Sequence, residues 1–506
     1  MSTHYPALII VVPLLTAVIV AAVGWINKKY CFPLSVASLA VSLLSSIGLL
    51  FEVMKTNGEV VYRFAGWEAP MGIVYNIDYL NSLVLIVVTA VALINLIFSK
   101  GSIENDFPDK EGVFYALYIL FTTGLVGMVA TGDAFNLYVL LEIASLTGYA
   151  LLGIGNERSP LSTLNYLFIG TIGATFYLLG VGYIYIATGT LNMAEIALII
   201  PKLPNVGIIK FAFVICMVGL FVKMALFPMH GWLPNAYSNA PSSSIGLIAP
   251  LTTKVTVYIM VRAGITIFTP EFTFEKMHLD KWIVWLSVIG IVMGSCFALA
   301  QKNYKKMLTY IVVAEVGYMV GGFWLGNKLG ITGSILHIVN DAAMTLCVFM
   351  AAGIFSYKIG DHISDFKGLF KKMPFTMTAF AVGGLSIIGV PPTCGFFSKW
   401  YLVSGGIEAV KATGSIGALA FIVALLFSSL VNAVLFFRIF EVAHFEPFSE
   451  GHGHEGYSAV EINEAPLGML IPFFIVAFSL IFLGIFSGDI VSNIINQFIP
   501  VLPAGI

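Results

Sequence analysis

The sequence predicts an all-α, polytopic membrane fold with about 14 spans, and three observations carry that expectation. Apolar runs of roughly 20 residues recur almost end to end, the length that crosses about 30 Å of hydrocarbon. Hydrophobic residues make up 58% of the 506 and charged residues only 10%, too few to solvate the surface of so long a chain. The runs are continuous, whereas barrel strands alternate inward and outward over about ten residues, so helices are expected.

In chain order the spans are expected at about 8–26, 33–53, 77–99, 112–130, 134–154, 163–187, 208–228, 244–267, 281–300, 304–326, 329–357, 375–403, 415–440 and 469–492. The first has no basic start and no small-residue cleavage site, and it ends at Lys28-Lys29. It therefore reads as a retained spanning helix and not a signal peptide. The expected divisions are a three-helix segment (1–111), a five-helix unit (112–267), a second such unit (281–440), an acidic polar loop (441–464) and a last span (465–506). An even number of spans puts both termini on one side. With that topology one side carries 13 Lys and Arg residues and the other nine, a bias that favours external termini in a cell membrane.

Spans seven and twelve carry helix-breaking sequences. The seventh runs through Lys223 into Phe227-Pro228-Met229-His230-Gly231-Trp232-Leu233-Pro234, and the twelfth contains Gly389-Val390-Pro391-Pro392-Thr393-Cys394-Gly395 before Lys399. Proline removes a backbone donor and frees a carbonyl, which the membrane tolerates only where protein or a watery cavity satisfies it. A simple kink and an ordinary turn are the plainer readings of each. The breaks recur, however: Glu142 precedes Lys223 by 81 residues, and Glu315 precedes Lys399 by 84. Two units of five helices each are forced into opposite orientations, the inverted-repeat pattern of many transporters.

Composition excludes several functions. A net charge of −2 without a basic domain offers nothing to a nucleic-acid backbone, and no dinucleotide or nucleotide-phosphate loop sequence is present. Five cysteines lie scattered without a CxxC, which suits core packing and supports neither disulfides nor an iron–sulfur cluster. His444, His452 and His454 in the polar loop are separated by glycines and read as solvated, so no metal and no cofactor is expected. Energy for any transport then comes from a gradient or from a partner.

The charges left inside the spans are the candidates for function, because each costs several kcal/mol at the bilayer centre. Glu142 lies in a strongly apolar stretch of span five, either as a protonated carboxyl bonded locally or as the ion-pair partner of Lys223. Lys254 near the start of span eight either snorkels to the boundary or sits inside, with Thr252, Thr253 and Thr256 able to hold water beside it. Lys399 follows the break in span twelve, and a lysine whose charge is easily removed suits a proton relay. His337 in span eleven supplies a two-nitrogen stepping stone, with Asp341 one turn later on the same face. His230 reads as a residue that shapes a break or an entry path, and Glu315 as a buried acid or one facing a neighbouring subunit.

The run Gly219-Leu-Phe-Val-Lys-Met-Ala-Leu-Phe-Pro-Met-His-Gly-Trp-Leu-Pro-Asn-Ala-Tyr237 resembles the seventh-helix signature of the proton-translocating, antiporter-like subunits. That superfamily includes respiratory complex I subunits, membrane-bound hydrogenase subunits and the D-type subunit of Mrp-type cation/proton antiporters. Leu251–Tyr258 and Pro391–Lys399 resemble the matching eighth- and twelfth-helix motifs, so the resemblance covers essentially the whole chain. It implies a proton route through Glu142, Lys223, Lys254, His337 and Lys399, and partners in a large membrane complex. Complex I relatives commonly carry a histidine and a lysine where this chain has Asp341 and Thr345. Asp341 resembles the Mrp D-type branch and some hydrogenase relatives, although Thr345 departs from that branch's frequent lysine. The chain also lacks the long lateral helix of the longest complex I antiporter-like subunit.

The expected function is therefore proton translocation within a multisubunit complex, with the D-type subunit of a Mrp Na+/proton antiporter as the leading form. The membrane arm of a hydrogenase or quinone-reductase complex is the second form, in which redox catalysis resides in neighbours. A structural scaffold is the third.

Overall fold

Apolar runs recurring along the chain leave helix as the only way to satisfy each backbone group in hydrocarbon. The computed structural model describes residues 4–56, 58–445, 462–500 and 502. The chain begins with α1 (Tyr5–Ile26) and α2 (Cys31–Thr56), followed by a short antiparallel hairpin of β1 (Val60–Arg63) and β2 (Val74–Ile77), and then α3 (Tyr79–Asp106). Next come α4 (Glu111–Ala130), α5 (Ala134–Gly153), α6 (Ser159–Thr188) and the short α7 (Met193–Ile199). The interrupted segment follows as α8 (Gly207–Lys223) and α9 (Leu233–Asn239), then α10 (Ser242–Arg262), α11 (Asp280–Leu299), α12 (Tyr304–Trp324) and α13 (Lys328–Lys358). After the short α14 (Leu369–Lys372) the second interrupted segment is α15 (Pro374–Ile388) and α16 (Cys394–Thr413), followed by α17 (Ile416–Phe445) and α18 (Leu467–Ile485).

Twelve helices among the described residues are long and apolar enough to cross a membrane. The expected spans seven and twelve are the two interrupted ones, broken after Lys223 and after Ile388 as the proline and glycine clusters require. Two details lie outside the expected spans. The segment between spans two and three holds the hairpin, a signal present in Val60-Val61-Tyr62 that a search for spans passes over. The polar loop also starts later than residue 441, because Glu441–Phe445 continue α17, where His444 packs edge-on against Phe370 and Phe445. The rest of that loop up to residue 461, with His452 and His454, lies outside the described residues.

Burial ranks the helices. The most apolar stretch of α13 is wholly buried and those of α10 and α12 are 94% buried, against 28% for α1 and 39% for α2 and α6. The centre of the bundle is thus α10, α12 and α13, with α16 packed on α13, and the peripheral helices turn apolar faces outward. Side-chain caps set several helix starts. Asp78 accepts from the backbone of Leu80 and Asn81 at α3 while the Asn81 side chain accepts from the Asp78 N–H, and Asn303 and Asn327 cap α12 and α13.

Candidate functional site

The charged side chains of the spans collect on the central helices or beside the helix breaks. Lys223 closes α8, where the last carbonyls of a helix favour a cation. The chain then turns with Ala225 at φ 60°, and Trp232 Nε1 donates to Val222 O at 3.1 Å, a carbonyl that the Ala225 N–H also reaches at 3.2 Å. Lys223 is buried, and its Nζ donates to Ser145 Oγ at 2.7 Å and reaches Tyr149 Oη at 3.5 Å. The direct ion pair with Glu142 is not formed. Glu142 is only half-buried on α5, and Ser145, almost one turn further on, takes the lysine while its own hydroxyl donates to Leu141 O.

Lys254 does not snorkel: it is 1% exposed in α10. Its Nζ lies 2.9 Å from Asp341 Oδ2 and donates to Thr345 Oγ1 at 3.1 Å, and Thr345 donates in turn to Asp341 Oδ1 at 2.8 Å. These three side chains form a closed buried triangle between α10 and α13. Thr256 bonds back to Thr252 O within the helix, and the hydroxyls of Thr252 and Thr253 make no direct bond to Lys254. Asp341 therefore answers the lysine across the helix interface as well as sharing a face with His337.

Lys399 is buried near the start of α16. Its Nζ donates to Ile387 O at 2.6 Å, Ile388 O at 3.3 Å and Ser429 Oγ at 3.2 Å. The first two are orphan carbonyls at the C-terminus of α15, so the ammonium caps the half-helix that ends before it. Gly389 makes the approach possible: it has φ +94°, and a Cβ there would meet Lys399 Cδ at 3.2 Å. The Tyr318 ring centroid lies 5.4 Å from Lys399 Nζ.

His337 is fully buried, with Nδ1 2.8 Å from Ser398 Oγ and Nε2 without a partner. Its ring stands edge-on to Tyr318 at 5.5 Å, and Tyr318 Oη donates to Ser428 Oγ. Ser398 precedes Lys399 in the chain, which ties the imidazole to the second break. Glu315 on α12 is 1% exposed and faces Asp341, not a surface that a neighbouring subunit would cover. His230 is part-buried within the first break, stacked on Phe227 at 5.0 Å and near Phe297 and Tyr310. It touches none of the lysines among the described residues.

The structure thus brings together Lys254, Asp341, Glu315, His337 and Lys399, leaves Lys223 with Ser145 and Glu142 on the α5/α8 side, and sets His230 apart. Ser145, Tyr149, Tyr318, Thr345, Ser398 and Ser429 join the site without having been expected. Thr345 was legible at one helical turn from Asp341, and Ser145 at nearly one turn from Glu142. Tyr318 and Ser398 share helices with Glu315 and Lys399, but their contacts to His337 run between helices, as does that of Ser429 to Lys399. One further buried pair is structural in character: Arg262 at the end of α10 grips Asp78 with both terminal nitrogens, at 2.6 and 2.9 Å. Among the described residues no group of acids, histidines and cysteines is arranged to hold a metal ion.

The chain is similar to known proteins along most of its length. Residues 131–428 match the family model described as NADH:quinone oxidoreductase/Mrp antiporter, TM. The chain is 39% identical over 506 residues to the N-type subunit of the NADH-quinone oxidoreductase of Desulforudis audaxviator, covering 99% of each chain. It is 32% identical over 363 residues to the D-type subunit of the Na(+)/H(+) antiporter of Alkalihalophilus pseudofirmus, covering 71% of this chain and 72% of the relative. Among solved structures, a chain of the membrane-bound sulfane sulfur reductase, an archaeal respiratory membrane complex, aligns with a TM-score of 0.86 at 28% identity over 98% of each chain. A chain of the Mrp complex from a Dietzia species aligns with a TM-score of 0.84 over 98% of this chain and 97% of that one, at 22% identity a likeness of fold.

Proposed function

The chain belongs to the NADH:quinone oxidoreductase/Mrp antiporter membrane family, and from that premise we propose that it translocates protons as one subunit of a multisubunit membrane complex, in the leading form a Mrp-type Na+/proton antiporter. The observation that carries this reading is the set of buried ionisable groups on α10, α12, α13 and α16, in a bundle otherwise almost free of charge. Such groups are costly inside a membrane and mark ion or proton pathways. The route runs from Lys223, held by Ser145 and influenced by Glu142, to Lys254, then past His337 to Lys399. Coupling arises because the charge on one station alters the proton affinity of the next. Each lysine has hydroxyl or carbonyl acceptors around it, so its ammonium is stabilised locally.

In this reading the units 112–267 and 281–440 are inverted repeats that each supply half of the route, and the termini lie on the external side. The partners are the remaining membrane subunits. A second reading, the proton-pumping membrane subunit of a redox complex, is favoured by the near full-length similarity to a quinone oxidoreductase subunit. The two share the same proton chemistry and differ in what drives it. The redox form draws on catalysis in neighbouring subunits.

The test is proton flux into vesicles containing the assembled complex, driven in turn by a sodium gradient and by a quinone-linked electron donor. Glu142→Gln and Lys223→Ala are each expected to depress flux by roughly a hundredfold, the scale of a lost proton-transfer group. Ordinary coupled flux in both variants would sink the route. A structural scaffold predicts instead that Lys399→Ala lowers the yield of complex while transport per complex stays the same.

A further inference from the structure

Among the described residues, Glu315 is the one acid in the central cluster with no cation bonded to it. Its Oε1 is buried and receives no donor, and it faces the Asp341 carboxyl within hydrogen-bonding reach. Asp341 Oδ2 likewise receives no in-line hydrogen bond, although Lys254 Nζ stands 2.9 Å from it. Two carboxylates facing each other without a donor would repel and leave two buried acceptors unsatisfied. A single proton between them removes both penalties, because a protonated carboxyl gains an O–H donor.

We propose that Glu315 and Asp341 share one proton, and that its position transmits the charge state of Lys254 to Lys399. The inference rests on the proton-translocation reading above and adds the coupling element between its last two lysines. With Lys254 charged, Asp341 is the carboxylate that faces it, and Glu315 carries the proton and donates to Asp341. When Lys254 gives its proton to the next acceptor on the route, Asp341 loses its counter-ion. The shared proton then moves from Glu315 to Asp341, and no proton is gained or lost in that move. The negative charge now resides on Glu315, nearly one turn from the Tyr318 ring that Lys399 Nζ approaches to 5.4 Å, and a negative charge there attracts a proton to Lys399. The charged and titratable groups facing the pair are Lys254 on α10, His337 on α13, Lys399 and Cys394 on α16 and Tyr318 on α12 itself. Tyr318, nearly one turn beyond Glu315, lies between the pair and Lys399 with its ring toward both Lys399 and His337.

The test uses the assembled complex in lipid, with Glu315→Gln, Glu315→Asp and Asp341→Asn. Infrared difference spectra between acid and alkaline pH read the C=O stretch of protonated carboxyls. A band from a buried protonated carboxyl is expected in the unaltered protein at neutral pH, absent in Glu315→Gln and shifted in Asp341→Asn. Proton flux per complex in Glu315→Gln is expected to fall about a hundredfold, with partial recovery and an altered pH profile in Glu315→Asp. A neutral-pH band untouched by Glu315→Gln, or flux and pH profile unchanged in that variant, overturns the inference. The spectrum is independent of what drives transport. A complex that moves no protons yet shows the Glu315 band defeats the function reading and leaves the shared proton standing, whereas intact flux without that band does the reverse.

Discussion

Asp341 and Lys254 show how little a side chain's own helix says about its partner. The pair is 0% and 2% exposed at the side chains, and its attraction has to offset the desolvation of two charges. Thr345 helps by supplying an acceptor to the lysine and a donor to the aspartate at once. Removing one partner leaves the other uncompensated, so Asp341→Asn is expected to lower stability by about 3–5 kcal/mol. The double variant Lys254→Met, Asp341→Asn should recover much of that loss, and thermal unfolding of the purified protein in detergent measures both. A double variant no more stable than Asp341→Asn would mean that the pair is not what the aspartate contributes. Lys223 illustrates the same point differently: its shortest hydrogen bond runs to the Ser145 hydroxyl and not to the acid three residues earlier on the same helix.

The broken helices are where local sequence and function meet most directly. At the first break an indole N–H joins a backbone N–H on Val222 O, and at the second a lysine ammonium takes the place of the missing backbone donors. Capping therefore places a cation at the C-terminal end of a half-helix, where the helix dipole favours it. Gly389 permits this arrangement by its positive φ, and an alanine there would carry both left-handed strain and a close contact with Lys399. Gly389→Ala is expected to cost roughly 1–3 kcal/mol and to reduce flux through displacement of Lys399. Comparing melting temperature and flux per complex with those of Gly414→Ala checks this, because Gly414 also has a positive φ but has open space around its Cα. Equal losses in the two variants would leave strain alone as the cause. Gly395 serves the return of the chain, since a Cβ there would collide with Ser386 O and keep α15 and α16 from meeting.

At the scale of the whole molecule, the three innermost helices hold most of the ionisable line while the outermost present apolar side chains to their surroundings. The N-terminal helices are fastened to this centre by the Arg262–Asp78 fork, which joins residues 184 apart and also orders the start of α3. Lysine cannot reproduce a two-pronged grip, so Arg262→Lys is expected to lose about 1.5–3 kcal/mol with the proton stations left in place. An unchanged melting temperature would show that the fork is dispensable. By itself the sequence determined the helical membrane class, the positions of the spans, both breaks and nearly every costly charge. Those properties are local: apolar run length, proline and glycine chemistry and the desolvation cost of a charge are all written along one segment. Only the tertiary structure decided that Lys254 meets Asp341, that Lys223 bonds Ser145 and not Glu142, that Glu315 turns inward, and that Tyr318 and Ser398 enter the cluster. Helical periodicity places residues on a face of their own helix, but which faces meet depends on how each helix is rotated and tilted against its neighbours.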